Sequence, residues 1–182
     1  MIRSIPAFLL CVALMAPAAP LPRPSPDFAV HLTPSGQVSP SGYKGKVVVL
    51  AFISTSCPHC QHTTQVLSGL QREYGPRGLQ VLAAAFNPMA NMLVPDFIKQ
   101  YQPSFPVGYT ERLDVHGYLD HSEQLQMYVP ILVFIDRKGM IRHQYLGDDP
   151  FQQNQEKNLR DTIEALLKEE QGPTSLQEYH RA

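Results

Sequence analysis

Hydrophobic positions along the chain fall into two alternating rhythms. Val47–Phe52 is an unbroken apolar run, the mark of a strand buried on both faces, as in a sheet covered by helices. After Cys57 the rhythm changes. Cys60, Thr63, Leu67, Leu70 and Tyr74 recur at three- and four-residue spacing, with Val66 beside them, which predicts an amphipathic helix facing a core. Gly75-Pro76-Arg77-Gly78 stops that helix. A second buried strand is expected over Leu79–Phe86, broken by Asn87-Pro88. A helix follows at about Met92–Gln100, with Pro95 near its first turn, where proline is tolerated. Val107–Thr110 reads as a short strand.

The second half is less regular. Leu113, Val115, Tyr118, Leu119, Leu125 and Tyr128 permit one broken helix across 111–128, weakened by Gly117. Val129-Pro130 then leads into the strand Ile131–Ile135, Asp136-Arg137-Lys138-Gly139 forms a hairpin turn, and Met140–Leu146 is the returning strand. Asp149-Pro150 reads as cap and first position of a last helix, whose apolar stripe is Leu159, Ile163, Leu166 and Leu167. Strands alternate with helices early, which implies parallel pairing, and the hairpin adds antiparallel strands. The class is therefore α/β, a mixed central sheet flanked by helices.

Four segments follow from composition along the chain. Residues 1–19 read as a signal peptide: Arg3 gives a positive start, Phe8 to Met15 is apolar, and Ala16-Pro17-Ala18 offers small residues for cleavage. That apolar run is too short for an ordinary membrane span, so the membrane enters only if the leader is retained as an anchor. Residues 20–27, with Pro20, Pro22, Pro24 and Pro26, read as an extended tether without helix or sheet. The domain spans 28–171 and opens with a short β extension in which Phe28–Leu32 is an edge strand, with turns at Pro34-Ser35-Gly36 and Gly42–Lys46. Residues 172–182 form a flexible tail after Gly172-Pro173. The location implied by the leader is periplasmic or otherwise extracytoplasmic.

The 182 residues suit one domain, and 43% hydrophobic content supports a proper core. A net charge of −1 gives no electrostatic case for nucleic acid or an anionic membrane surface. Of three cysteines, Cys11 lies in the leader, which leaves Cys57 and Cys60. A lone CxxC cannot complete a tetrahedral structural zinc site. At the start of a helix, positions i and i+3 share a face, so the two sulfurs can meet. Cys57 would sit in the opening turn, where unpaired N–H groups and the helix dipole favour a thiolate, the form that attacks disulfides. Cys60, one turn in, would be more buried and act as the resolving thiol. Neither role requires a metal or an organic cofactor.

The order of elements, with Gly45–Phe52 leading into Ser56-Cys57-Pro58-His59-Cys60 and then Val129–Asp136, looks like the thioredoxin fold. More narrowly it resembles the exported TlpA/ResA-like thiol–disulfide oxidoreductases. The resemblance covers about residues 28–170. It implies exchange with cysteine-containing protein substrates and a redox partner protein. It also implies that Pro130 is a cis-proline beside the redox pair, with the Val129 backbone offered to an extended substrate peptide. Pro58 and His59 would tune the potential: Pro-His resembles strongly oxidising DsbA-type sites, and a histidine there favours the reduced form. Two positions depart from the pattern. Ser56 stands where family members usually carry tryptophan, and Ala51 where thioredoxin carries a buried acid.

Two other readings compete. A peroxidase of the peroxiredoxin class shares the fold and wants a proline and a hydroxyl residue ahead of a single peroxidatic cysteine; Ser54 supplies the hydroxyl, but Leu50 occupies the proline position. A non-enzymatic copper-binding or partner-docking module is the third. His62, His116, His121 and His143 are too scattered to make a metal set, and Met89 and Met92 read as helix packing.

Overall fold

The computed structural model describes residues 20–169. The signal peptide expected over 1–19 and the tail expected over 172–182 lie outside the described residues. Eight strands form one sheet: β1 (Arg23–Pro24), β2 (Val30–His31), β3 (Gln37–Val38), β4 (Val47–Ile53), β5 (Leu79–Ala85), β6 (Val107–Tyr109), β7 (Ile131–Ile135) and β8 (Met140–Tyr145). Among the described residues four α-helices accompany them: α1 (Pro58–Tyr74), α2 (Ala90–Tyr101), α3 (Arg112–Leu119) and α4 (Gln155–Lys168). The strand order is β1-β8-β7-β4-β5-β6-β2-β3. β4, β5 and β6 run parallel, while β7 runs antiparallel to β4 and pairs in turn with β8.

Every residue of β4 is buried, because alternate side chains enter two separate cores. Val47, Val49, Ala51 and Ile53 face a cluster built with Leu67 and Leu70 of α1, Val94 and Phe97 of α2, and Leu159 and Ile163 of α4. Val48, Leu50 and Phe52 face the other side, against Phe28, Val115, Tyr118 and Leu119. The continuous apolar run is thus what a strand with helices on both sides demands.

Three local expectations are revised. The segment 20–27 is extended but is not a free tether: Arg23 pairs with Ile141 and Pro24 with Met140, making β1 an edge strand of the sheet. Proline is compatible with that place because its fixed φ suits an extended chain and an edge leaves its missing N–H without a partner to disappoint. The Arg23 guanidinium adds a 2.7 Å hydrogen bond to the Tyr118 carbonyl. The chain then crosses one face of the sheet, with Phe28 packed edge-on against Phe52, and supplies β2 and β3 at the opposite margin.

The helix expected from Met92 begins at Ala90, so Pro95 stands inside it rather than in its first turn. Across 111–128 only Arg112–Leu119 is helical. Gly117 is accommodated within that helix, which stops at Asp120, in the left-handed region at φ 50°. Leu125 and Tyr128 are exposed, so their spacing carried no burial. Among the described residues, no helix is long and apolar enough to cross a membrane.

Candidate active site

The C-terminal ends of the parallel strands β4, β5 and β6 share one margin of the sheet with the start of antiparallel β7. At that margin β4 runs into a tight turn in which the Cys57 N–H donates to the Ser54 carbonyl at 3.2 Å. Cys57 then caps α1 in extended conformation, φ −85° and ψ 119°, with Pro58 in the first helical position. Proline's fixed φ and missing N–H suit that place. The Cys57 side chain does not cap its own helix; the residue is half-buried and its thiol is free. His59 and Pro58 are exposed beside it.

Cys60 is fully buried against the core. Both cysteines are free thiols. Burial pushes the Cys60 thiol far up; the Ser54 N–H, 3.5 Å from its Sγ, pulls the other way, and the neighbouring Cys57 side chain adds to the rise. In the same core cluster, Ala51 is fully buried and brings no carboxylate.

The Ser54–Cys57 turn is held from the side. The Thr55 N–H donates to Asn87 Oδ1 at 2.9 Å, and Asn87 Nδ2 donates to Thr55 Oγ1 at 3.1 Å. Gln61 Nε2 donates to the Thr55 carbonyl at 3.1 Å.

The Val129–Pro130 peptide bond is cis. Pro130 is buried, whereas Val129 is half-buried, lies outside the strand ladder and makes no backbone hydrogen bond to a described residue. Val129 packs on the same core cluster as Cys57. A groove of about 410 Å³ adjoins them, lined by His59, His62, Val129, Pro130, Gln152 and Gln155 among others. The residues singled out in the sequence, Cys57, Pro58, His59, Cys60, Val129 and Pro130, therefore converge on one place.

Three supporting residues escaped the sequence reading. Asn87 looked only like a strand breaker. Gly147 donates its N–H to the Tyr128 carbonyl at 2.8 Å, and a Cβ there would lie 2.7 Å from backbone atoms of Tyr128 and Val129. Gln152 donates from Nε2 to the Pro130 and Leu146 carbonyls. The turn-forming string Gly147-Asp148-Asp149-Pro150 signals a loop but not what the loop touches.

A half-buried free thiol at the N-cap of a helix, a buried thiol one turn on and a cis-proline leading into the neighbouring strand, all on one mixed sheet, are arranged as in a thioredoxin fold. The AhpC/TSA family model matches residues 22–144, and the chain belongs to that family. It is 26% identical over 136 residues to the thiol-disulfide oxidoreductase ResA of Bacillus thuringiensis, covering 72% of this chain and 73% of that one. It is 28% identical over 98 residues to glutathione peroxidase 1 of Helianthus annuus, covering 50% and 58%. Among solved structures it resembles a thiol:disulfide interchange protein DsbE from Chlorobium tepidum, with a TM-score of 0.68, 24% identity, and coverage of 80% of this chain and 96% of that one.

Proposed function

We infer that this protein is an exported thiol–disulfide oxidoreductase, working in the periplasm or another extracytoplasmic space on cysteines of other proteins. The observation that carries the reading is the half-buried free Cys57 at the start of α1, with buried Cys60 one turn on and cis Val129–Pro130 packed on the same core cluster. In the reducing direction Cys57, as thiolate, attacks a substrate disulfide and expels one substrate thiolate. Cys60 then attacks the Cys57 sulfur of the mixed disulfide, expels the second substrate thiol and leaves a Cys57–Cys60 disulfide. Two electrons and two protons pass to the substrate. The oxidising direction is the reverse, and a redox partner protein resets the pair. The Val129 backbone, with no hydrogen bond to a described residue, offers a substrate peptide an edge to pair with.

The decisive experiment is trapping. Cys60→Ser is expected to accumulate a mixed disulfide through Cys57 with a cysteine-containing peptide, and Cys57→Ser to accumulate none. Equal trapping by both variants would sink the assignment of roles. Peroxide consumption that survives Cys60→Ser would instead favour a peroxidase. Against that reading, Leu50 stands buried in β4 at the position where a peroxidatic site wants proline.

His59 is the residue proposed to bias direction. It is exposed next to Cys57, where an imidazole favours the reduced form. His59→Pro is expected to move the equilibrium potential against glutathione toward more reducing values; about 30 mV corresponds to ~1.4 kcal/mol. An unchanged potential removes His59 from the tuning set.

A further inference from the structure

Beneath the groove runs a chain of side-chain hydrogen bonds that the dithiol chemistry does not use. Gln152 Nε2 donates to the Pro130 carbonyl at 3.2 Å and to the Leu146 carbonyl at 3.1 Å. Gln155 Nε2 donates to Gln152 Oε1. Thr63 Oγ1, on the buried face of α1 one turn beyond His59, lies 2.9 Å from Gln155 Oε1 and 2.8 Å from the His59 carbonyl.

The direction of this chain is forced. Two carbonyls can only accept, so the Gln152 amide must present its NH₂ to them and its oxygen to Gln155. Gln155 must then donate to Gln152, which leaves its own oxygen facing Thr63. The single Thr63 proton is shared between the two acceptors in its reach, Gln155 Oε1 and the His59 carbonyl. Both amides are therefore fixed by the pair of carbonyls at the far end, and reversing either one sets oxygen against oxygen.

What Gln152 grips is the segment that faces substrate. The Pro130 carbonyl directly follows Val129, whose backbone has no hydrogen bond to a described residue, and the Leu146 carbonyl precedes Gly147, which lies against the Val129 backbone. We propose that Gln152, oriented by Gln155 and Thr63, is a positioning residue that fixes the Val129–Pro130 segment so that its free backbone accepts an extended substrate peptide in the adjoining groove. This rests on the thiol-exchange reading above and adds to it a determinant of peptide binding separate from the cysteines. The same chain ties the segment to α1, so the peptide edge and the Cys57 helix are held as one unit.

The test compares two oxidants of the reduced protein in single-turnover experiments: a peptide disulfide of eight to ten residues (on the order of a strand) and the small disulfide 5,5′-dithiobis(2-nitrobenzoic acid). Gln152→Met removes both donors at nearly constant volume, and Gln152→Glu sets a carboxylate against the two carbonyls. Both variants are expected to raise the half-saturating peptide concentration about tenfold, ~1.4 kcal/mol. The limiting rate, the reaction with the small disulfide and the Cys57–Cys60 potential should change less than twofold. An unchanged half-saturating concentration in Gln152→Met overturns the proposal, as does an equal loss with both disulfides. A wild-type protein that reacts with neither disulfide overturns the thiol-exchange reading itself, an outcome visible before any variant is made.

Discussion

Asn87 and Thr55 are joined by two reciprocal hydrogen bonds, backbone N–H to Oδ1 at 2.9 Å and Nδ2 to Oγ1 at 3.1 Å. They fasten the turn that carries Cys57 to the end of β5. Thr55 is buried, so its N–H has no ready substitute in water. Asn87→Ala is expected to destabilise the protein by about 1–3 kcal/mol, the cost of a buried donor left unmade. Asn87→Asp keeps the acceptor, and the Thr55 hydroxyl can turn to donate, so its loss should be smaller. Denaturant unfolding of the two variants checks the order. Equal stability of Asn87→Ala and wild type would show that the clamp carries no weight.

Gly147 meets the cis-proline loop too closely for any side chain. A Cβ at 2.7 Å from the Tyr128 and Val129 backbone must displace main chain, not a flexible side-chain tip. Gly147→Ala should cost about 1–3 kcal/mol by overpacking and should slow exchange with peptides more than with a small disulfide. A variant as stable as wild type would mean that the loop yields without strain.

The resolving step should depend steeply on pH. Burial raises the Cys60 thiol well above its ordinary range, and the reacting species is the thiolate. Below that raised value the thiolate fraction grows about tenfold per pH unit. Release of a substrate from its Cys57 mixed disulfide should therefore keep accelerating through and beyond pH 8.5, where an ordinary cysteine levels off. A plateau below about pH 8 in stopped-flow traces would show that another group takes the Cys60 proton.

His143 gives stability its own pH dependence. It stacks on Tyr145 and meets the edge of Phe134. Burial first, and the Arg142 charge second, lower its pKa in the folded state. Between that lowered value and about 6.5, the ordinary histidine value, the unfolded chain binds the proton that the folded one refuses. Stability is thus full above about pH 6.5 and falls as pH drops through the folded value. His143→Phe should flatten this part of the profile, measured as unfolding midpoint against pH; an unaltered profile would assign the acid sensitivity elsewhere.

Periodicity alone determined much of the architecture. The Val47–Phe52 run, the stripe from Cys60 to Tyr74 and the Leu159–Leu167 stripe all lie where burial requires them. These are strong patterns because each element buries a continuous face, and a residue out of phase would face water. The placement of Cys57 and Cys60 was legible for a similar reason: CxxC spacing and a helix start are local facts. The resemblance supplied the cis-proline, which no local pattern dictates.

Weak patterns misled. Leu113, Leu125 and Tyr128 mimicked a helical stripe while remaining exposed. Four prolines suggested a free tether, yet an edge position on β8 lets Arg23 and Pro24 pair.

Cys57, Cys60 and the strand and helix around them were written in the sequence, because local spacing sets which side chains share a face. Tertiary structure alone decided what surrounds them. Asn87 lies 32 residues from Thr55, and Gln152 lies 22 from Pro130. Hydrogen bonds over such separations exist only after the sheet has brought its strand ends to one margin. Residue types that look interchangeable along the chain acquire their roles from that convergence.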